Sequence, residues 1–151
     1  MKIVRGGLDH RKVLALLQAH LDGMHETSPA EHVHALDVSG LQTADISFWS
    51  LRESDTVLGC GALKELSPAR GEIKSMRTHA DHLRKGVAAK LLEHILDVAK
   101  ERGFSQLSLE TGHGPAFVPA LNLYRKYGFR NGQAFADYET NEFSQFLHLD
   151  L

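Results

Sequence analysis

The chain has 151 residues, 42% apolar and 24% charged, which is the size and balance of one globular domain with one core. A formal net charge of -2 lacks the basic excess of a general nucleic-acid binder, although a local basic cluster can still meet a small anion. The single cysteine, Cys60, excludes an intramolecular disulfide, and no run approaches the ~18 apolar residues of a membrane span.

The N-terminus carries no apolar stretch of signal-peptide type, so a cytoplasmic protein is expected. Lys2 to Arg5 can start a strand. A helix is expected from Asp9 to Met24, capped by Asp9, with Val13, Leu14, Leu17, Leu21 and Met24 on one face. Ser28-Pro29-Ala30-Glu31 has capping-box spacing and predicts a second short helix ending near Gly40. Two strands, Ile46 to Arg52 and Thr56 to Leu66, should form a hairpin across Glu53-Ser54-Asp55, with Cys60 as a small buried hydrophobe. A third strand, Glu72 to Thr78, follows a turn.

A long helix is expected from Lys85 to Arg102, with Ala88, Leu91, Leu92, Ile95 and Ala99 as its apolar stripe and Gly103 closing it. Ser105 to Thr111 is a strand, and Pro119 to Tyr127 a helix ended by Gly128. Phe129 to Ala134 and Phe143 to Leu149 are terminal strands. The order is β-α-α-β-β-β-α-β-α-β-β. The strands at 72–78 and 105–111, joined through a helix, should be parallel with a right-handed crossover.

The segment His82-Leu83-Arg84-Lys85-Gly86-Val87-Ala88 opens that long helix. A helix N-terminus presents unpaired N–H groups and partial positive charge, which suits a phosphate. Gly86 permits close approach, Ala88 keeps the first turn clear, and Arg84 and Lys85 add charge, with Arg77 and Lys90 in reach of the same region. On these residues alone, a solvated loop entering a helix reads equally well. Gly59-Cys60-Gly61 is no dinucleotide fingerprint, because a strand continues through it, and no Gly-x-x-x-x-Gly-Lys-Ser/Thr run exists.

Strand, basic loop, Gly86-x-Ala88, long helix, strand, and then Ala120-x-x-Leu123-Tyr124-x-x-Tyr127-Gly128-Phe129 together resemble the GNAT superfamily of N-acetyltransferases over residues 45 to 130. The resemblance implies an α/β GNAT fold over residues 1–151, with a mixed, twisted central sheet and helices on both faces. It implies acetyl-CoA as cosubstrate, held by its pyrophosphate at Arg84, Lys85, Gly86, Val87 and Ala88, with the pantetheine arm along Met76, Arg77 and Thr78. The family usually has a polar side chain where this sequence has Leu83. The implied reaction is direct attack of an amine on the thioester. Tyr124 would protonate the departing thiolate, and the backbone near Met76 would polarise the carbonyl. Glu72 and Glu110 are the two base candidates; carboxylates sharing a cleft raise one another's pKa.

The acceptor expected is a primary amine on a small molecule. A protein lysine or N-terminus is the runner-up, and a non-catalytic acyl-CoA sensor the reading from another class. Dimerisation is common among similar proteins, with no interface residues assigned here. His25, His32 and His34 match no zinc spacing, so no metal is expected and solvent or acceptor-pocket histidines are the reading. His79 and His82 flank the cradle, and His113 is a further base candidate. Phe48 or Trp49, but not both, could line the acceptor pocket, and the segment Phe135 to Glu139 could close its other edge.

Overall fold

The computed structural model describes residues 1–151. In chain order its elements are β1 (Lys2–Arg5), α1 (Arg11–Thr27), α2 (Val38–Leu41), β2 (Ile46–Glu53), β3 (Thr56–Ser67) and β4 (Arg70–Thr78). These are followed by α3 (Val87–Glu101), β5 (Gln106–Thr111), α4 (Val118–Lys126), β6 (Arg130–Asn131) and β7 (Gln145–Asp150). Single 3-10 turns precede α3 and α4. The seven strands form one mixed sheet in the order β1-β2-β3-β4-β5-β7-β6, and only β4 and β5 are parallel. The expected element order and the crossover through α3 are therefore both present.

Each face of the sheet carries its own apolar cluster. On one face Leu91, Leu92 and Ile95 of α3 are fully buried against Leu63, Ile73, Leu107 and Leu147. Burying side chains of this size contributes about 1.5–3 kcal/mol each relative to exposure. Gly103 ends α3 as expected: at φ +82 it lets Phe104 N–H reach back to Ala99 O at 3.0 Å. On the other face Val13, Leu16 and Leu17 of α1 pack with Phe48, Cys60 and Ala62. Burial pushes the Cys60 thiol up to about 12, so it is a packed hydrophobe with no thiolate.

Five local expectations are corrected. The α1 cap is His10, not Asp9: His10 Nδ1 accepts from Lys12 N–H at 3.2 Å. The buried stripe of α1 is Val13, Leu16, Leu17 and His20, while Leu14 lies at the exposed edge. The single helix expected after Ser28 is instead a 3-10 turn at Ala30–His32, an extended stretch, and the four-residue α2. Asp37 starts α2 by accepting from Gly40 N–H at 2.8 Å, an N-cap with local side-chain chemistry that the Ser28 position lacks. The strand expected over Phe129 to Ala134 pairs only at Arg130–Asn131. Beyond it, His148 Nε2 meets Gln133 O at 2.8 Å, a side chain taking the place of a ladder bond. Asn141 Oδ1 accepts from the N–H groups of Phe143 and Ser144, which delays β7 to Gln145.

Candidate active site

β4 and β5 pair only at Arg70↔Gln106, Gly71↔Leu107 and Glu72↔Ser108. Both strands continue past that point, to Thr78 and Thr111, with no ladder between them. The cause lies in β4. Ser75 has φ +55, a left-handed backbone for a non-glycine residue, and the β3–β4 register shifts between Cys60 and Ala62. Two residues of β4, Ser75 and Met76, stand opposite Gly61 alone, which is a β-bulge. The bulge bends the strand and opens a wedge between β4 and β5, leaving backbone groups of β4 without strand partners. His79 N–H bonds Leu58 O, so by alternation the Thr78 N–H faces the wedge.

A cavity of about 410 Å³ lies at this wedge. The structure brings Glu72, Met76, Arg77, Glu110 and Tyr124 together in its walls. Thr78, Arg84, Lys85, Gly86, Val87 and Ala88 do not line it; they run from the end of β4 to the start of α3. Register fixes which way the β4 residues look. Cys60 opposes Arg77 and Ala62 opposes Lys74, and both partners belong to the α1-side cluster, so Arg77, Lys74 and Glu72 face the α1 side. On β5, Leu107 and Leu109 enter the α3-side cluster, which turns Ser108 and Glu110 toward α1. Tyr124 comes from α4, packed edge-on against Phe129 within the α3-side cluster.

The acidic residues sit in different settings. Glu72, 3% exposed, is held by two partners: its Oε2 accepts from Lys74 Nζ at 3.2 Å and from the Tyr138 hydroxyl at 2.5 Å. Lys74 Nζ also donates to the Tyr138 oxygen at 2.9 Å, closing the triangle. Burial, then the Glu72 charge, pushes the Tyr138 phenol up. Glu110 has no salt-bridge partner; burial raises its carboxyl to about 7, against the lowering effects of the Ser144 hydroxyl and the Lys74 charge, with the Glu72 charge adding least. Burial alone raises the Tyr124 phenol, which therefore stays protonated through the neutral range.

Lys74 escaped the sequence reading. Its signal was available: Glu72 and Lys74, two apart on one strand, share a face. Tyr138 does close the cavity's edge, as the placement of its segment suggested, with His34 edge-on to its ring at 5.0 Å. Phe48 and Trp49 do not line this cavity; they are buried on opposite faces of the sheet, in the two separate clusters. His113 Nδ1 is bonded to Phe143 O at 2.6 Å.

At the start of α3, Arg84 and Gly86 both adopt left-handed backbone, φ +62 and +78. No side chain caps this helix and its first turn holds no acidic residue. Its leading N–H groups are consequently open to an outside acceptor. The Val87 side chain is buried, so that residue offers only its backbone, whereas Arg84 and Lys85 are exposed.

The model of the acetyltransferase (GNAT) family matches residues 13–129, spanning the wedge, the α3 start and α4. The chain belongs to the GNAT acetyltransferase family. A Bacillus subtilis protein named N-acetyltransferase YsnE is 48% identical over 147 residues, covering 97% of each chain. The IAA acetyltransferase of Azospirillum brasilense is 38% identical over 124 residues, 82% of this chain and 80% of that one. A crystal structure from Klebsiella pneumoniae, assigned to the acyl-CoA N-acyltransferases, superposes with a TM-score of 0.80 at 25% identity, over 99% and 97% of the two chains. In this GNAT protein the family match thus covers the bulge, the unpaired strand ends and the uncapped helix start together.

Proposed function

We propose that residues 1–151 act as one acetyltransferase domain that moves the acetyl group of acetyl-CoA to a primary amine on a small molecule, within a ternary complex. The unpaired wedge between β4 and β5, with Tyr124 on one side of the sheet and Glu110 on the other, carries this reading. The pyrophosphate suits the N–H groups of Gly86, Val87 and Ala88 under the charges of Arg84 and Lys85. The pantetheine arm suits the open β4 edge at Met76, Arg77 and Thr78, adding one pseudo-strand to the wedge. Leu83, 58% exposed, offers no polar group to the phosphate, so the cradle relies on backbone donors and those two cations.

In the reaction, the amine nitrogen bonds to the acetyl carbon as the carbon–sulfur bond breaks. Glu110, ionised over part of the neutral range, takes a proton from the ammonium, which has no lone pair until it does. The Met76 N–H stabilises charge on the thioester oxygen. Tyr124 gives its proton to the departing sulfur. Glu72 is already engaged by Lys74 and Tyr138, which leaves Glu110, its proton affinity raised by burial, as the carboxyl free to meet the ammonium.

A cavity of about 410 Å³, lined in part by the 27–35 segment and Tyr138, has the dimensions of a small-ligand site, which supports a small acceptor. The test is release of free CoA thiol from acetyl-CoA over a panel of small amines and a lysine peptide, with products weighed by mass spectrometry. Amine-dependent release with N-acetylated small products is expected. Release with the peptide alone would move the acceptor to protein, and acetyl-CoA binding with no release on any amine would make the protein a sensor.

A further inference from the structure

The charges lining the cavity do not cancel. Glu72 and Lys74 neutralise each other at 3.2 Å. The carboxylate–cation contacts within 4 Å elsewhere are Lys12–Asp55 and His79–Asp81, neither in the cavity, which leaves Glu110 and Arg77 without ionic partners. His20 also lines it. Burial and then the Arg77 charge lower His20 to about 4, so it is neutral at pH 7, with Nδ1 unpartnered. His34 is lowered in the same sense by burial, Lys74 and His32. Glu26 stands at the exposed rim. The interior therefore presents one carboxyl and one guanidinium to whatever fills it.

The half-buried Arg77 side chain reaches α1, where a Cβ added at Gly23 would fall 2.8 Å from one of its terminal nitrogens, and the bare glycine leaves room for the guanidinium there. It faces the α1 side of the sheet, the same side as Glu110, and follows directly after Met76. A planar fork of donors with no ionic partner, lining the same cavity as a neutral imidazole, suits a carboxylate.

Resting on the proposed acetyl transfer, we infer that the acceptor is an amino-carboxylate, such as a free amino acid, whose carboxylate is held by Arg77 while its amine faces Glu110 and the thioester. This assigns the Arg77 side chain to acceptor specificity and leaves only its backbone for the pantetheine arm.

The experiment compares amino acids with their amides and their decarboxylated amines in wild type, Arg77→Lys and Arg77→Met. Wild type should favour the amino acids in kcat/KM by about ten- to hundredfold, the effect of one charge-assisted contact. Arg77→Met should bring that ratio toward one through the KM of the amino acid, and Arg77→Lys should retain part of it. Binding of N-acetylated amino acids against their amides, read by thermal shift with CoA present, supplies a readout free of turnover and should show the same ratio. Equal use of both acceptor sets by wild type would uphold acetyl transfer and overturn the carboxylate site. A rise in the KM for acetyl-CoA that is the same for all acceptors would also overturn it, placing the side chain on the cosubstrate. If neither set is acetylated and no acetylated amino acid binds, both readings fail.

Discussion

Replacing Tyr124 with Phe is expected to lower kcat at saturating acetyl-CoA by about 10²- to 10⁴-fold, the range a positioned general acid contributes. The substitution suits a clean test. Tyr124 is 7% exposed, packs edge-on against Phe129 at 5.7 Å, and owes its raised pKa to burial with no hydrogen-bond contribution. Phe keeps the ring and that contact, so the melting temperature should hardly move while turnover falls. The loss should persist from pH 6 to 9, because a phenol pushed above its ordinary range remains a donor throughout. An unchanged rate at every pH would make Tyr124 a core residue and nothing more.

The second large effect is expected at Glu110. With its carboxyl raised to about 7, the fraction able to accept a proton grows as pH climbs toward neutrality. The wild-type rate should therefore rise through that region and level above it. Glu110→Gln should erase this limb and reduce the neutral rate by about 10²-fold or more. Stability runs the other way. A folded-state pKa above the unfolded one means the native protein holds more protons, so the contribution of Glu110 weakens as pH rises from the ordinary carboxylate range through 7. The Gln variant should lack that decline. A pH–rate profile and a set of melting curves check the two signs independently. An acid limb surviving in Glu110→Gln would shift the base role to Glu72 or to water.

The parts of this site legible in the sequence were those with a local cause. The α3 start was readable because Gly86, the basic pair before it and the stripe behind it are contiguous, and the parallel strands followed from a helix lying between two strand-like runs. Tyr124 came from a motif whose spacing is carried on one helix. What could not be read depends on distant residues. The Ser75 bulge that opens the wedge shows only against the register of β3. Tyr138 meets Glu72 across 66 positions of chain, from a loop whose course is set by His148 and Asn141. Arg77 was assigned with the cosubstrate contacts by its neighbours in sequence, yet its side chain reaches Gly23, more than fifty residues earlier. His10 holds the capping role in place of Asp9 because α1 begins at Arg11, which puts His10 at the N-cap with an imidazole nitrogen placed to accept from Lys12 N–H.

The central claim is that the wedge between β4 and β5 receives acetyl-CoA, and a crystal structure of the complex tests it most directly. The account predicts pyrophosphate oxygens about 3 Å from the N–H groups of Gly86, Val87 and Ala88. It also predicts the thioester between Met76 and Glu110, with its sulfur toward the Tyr124 hydroxyl. Acetyl-CoA bound elsewhere, with β4 and β5 still unfilled between Met76 and Glu110, would contradict it.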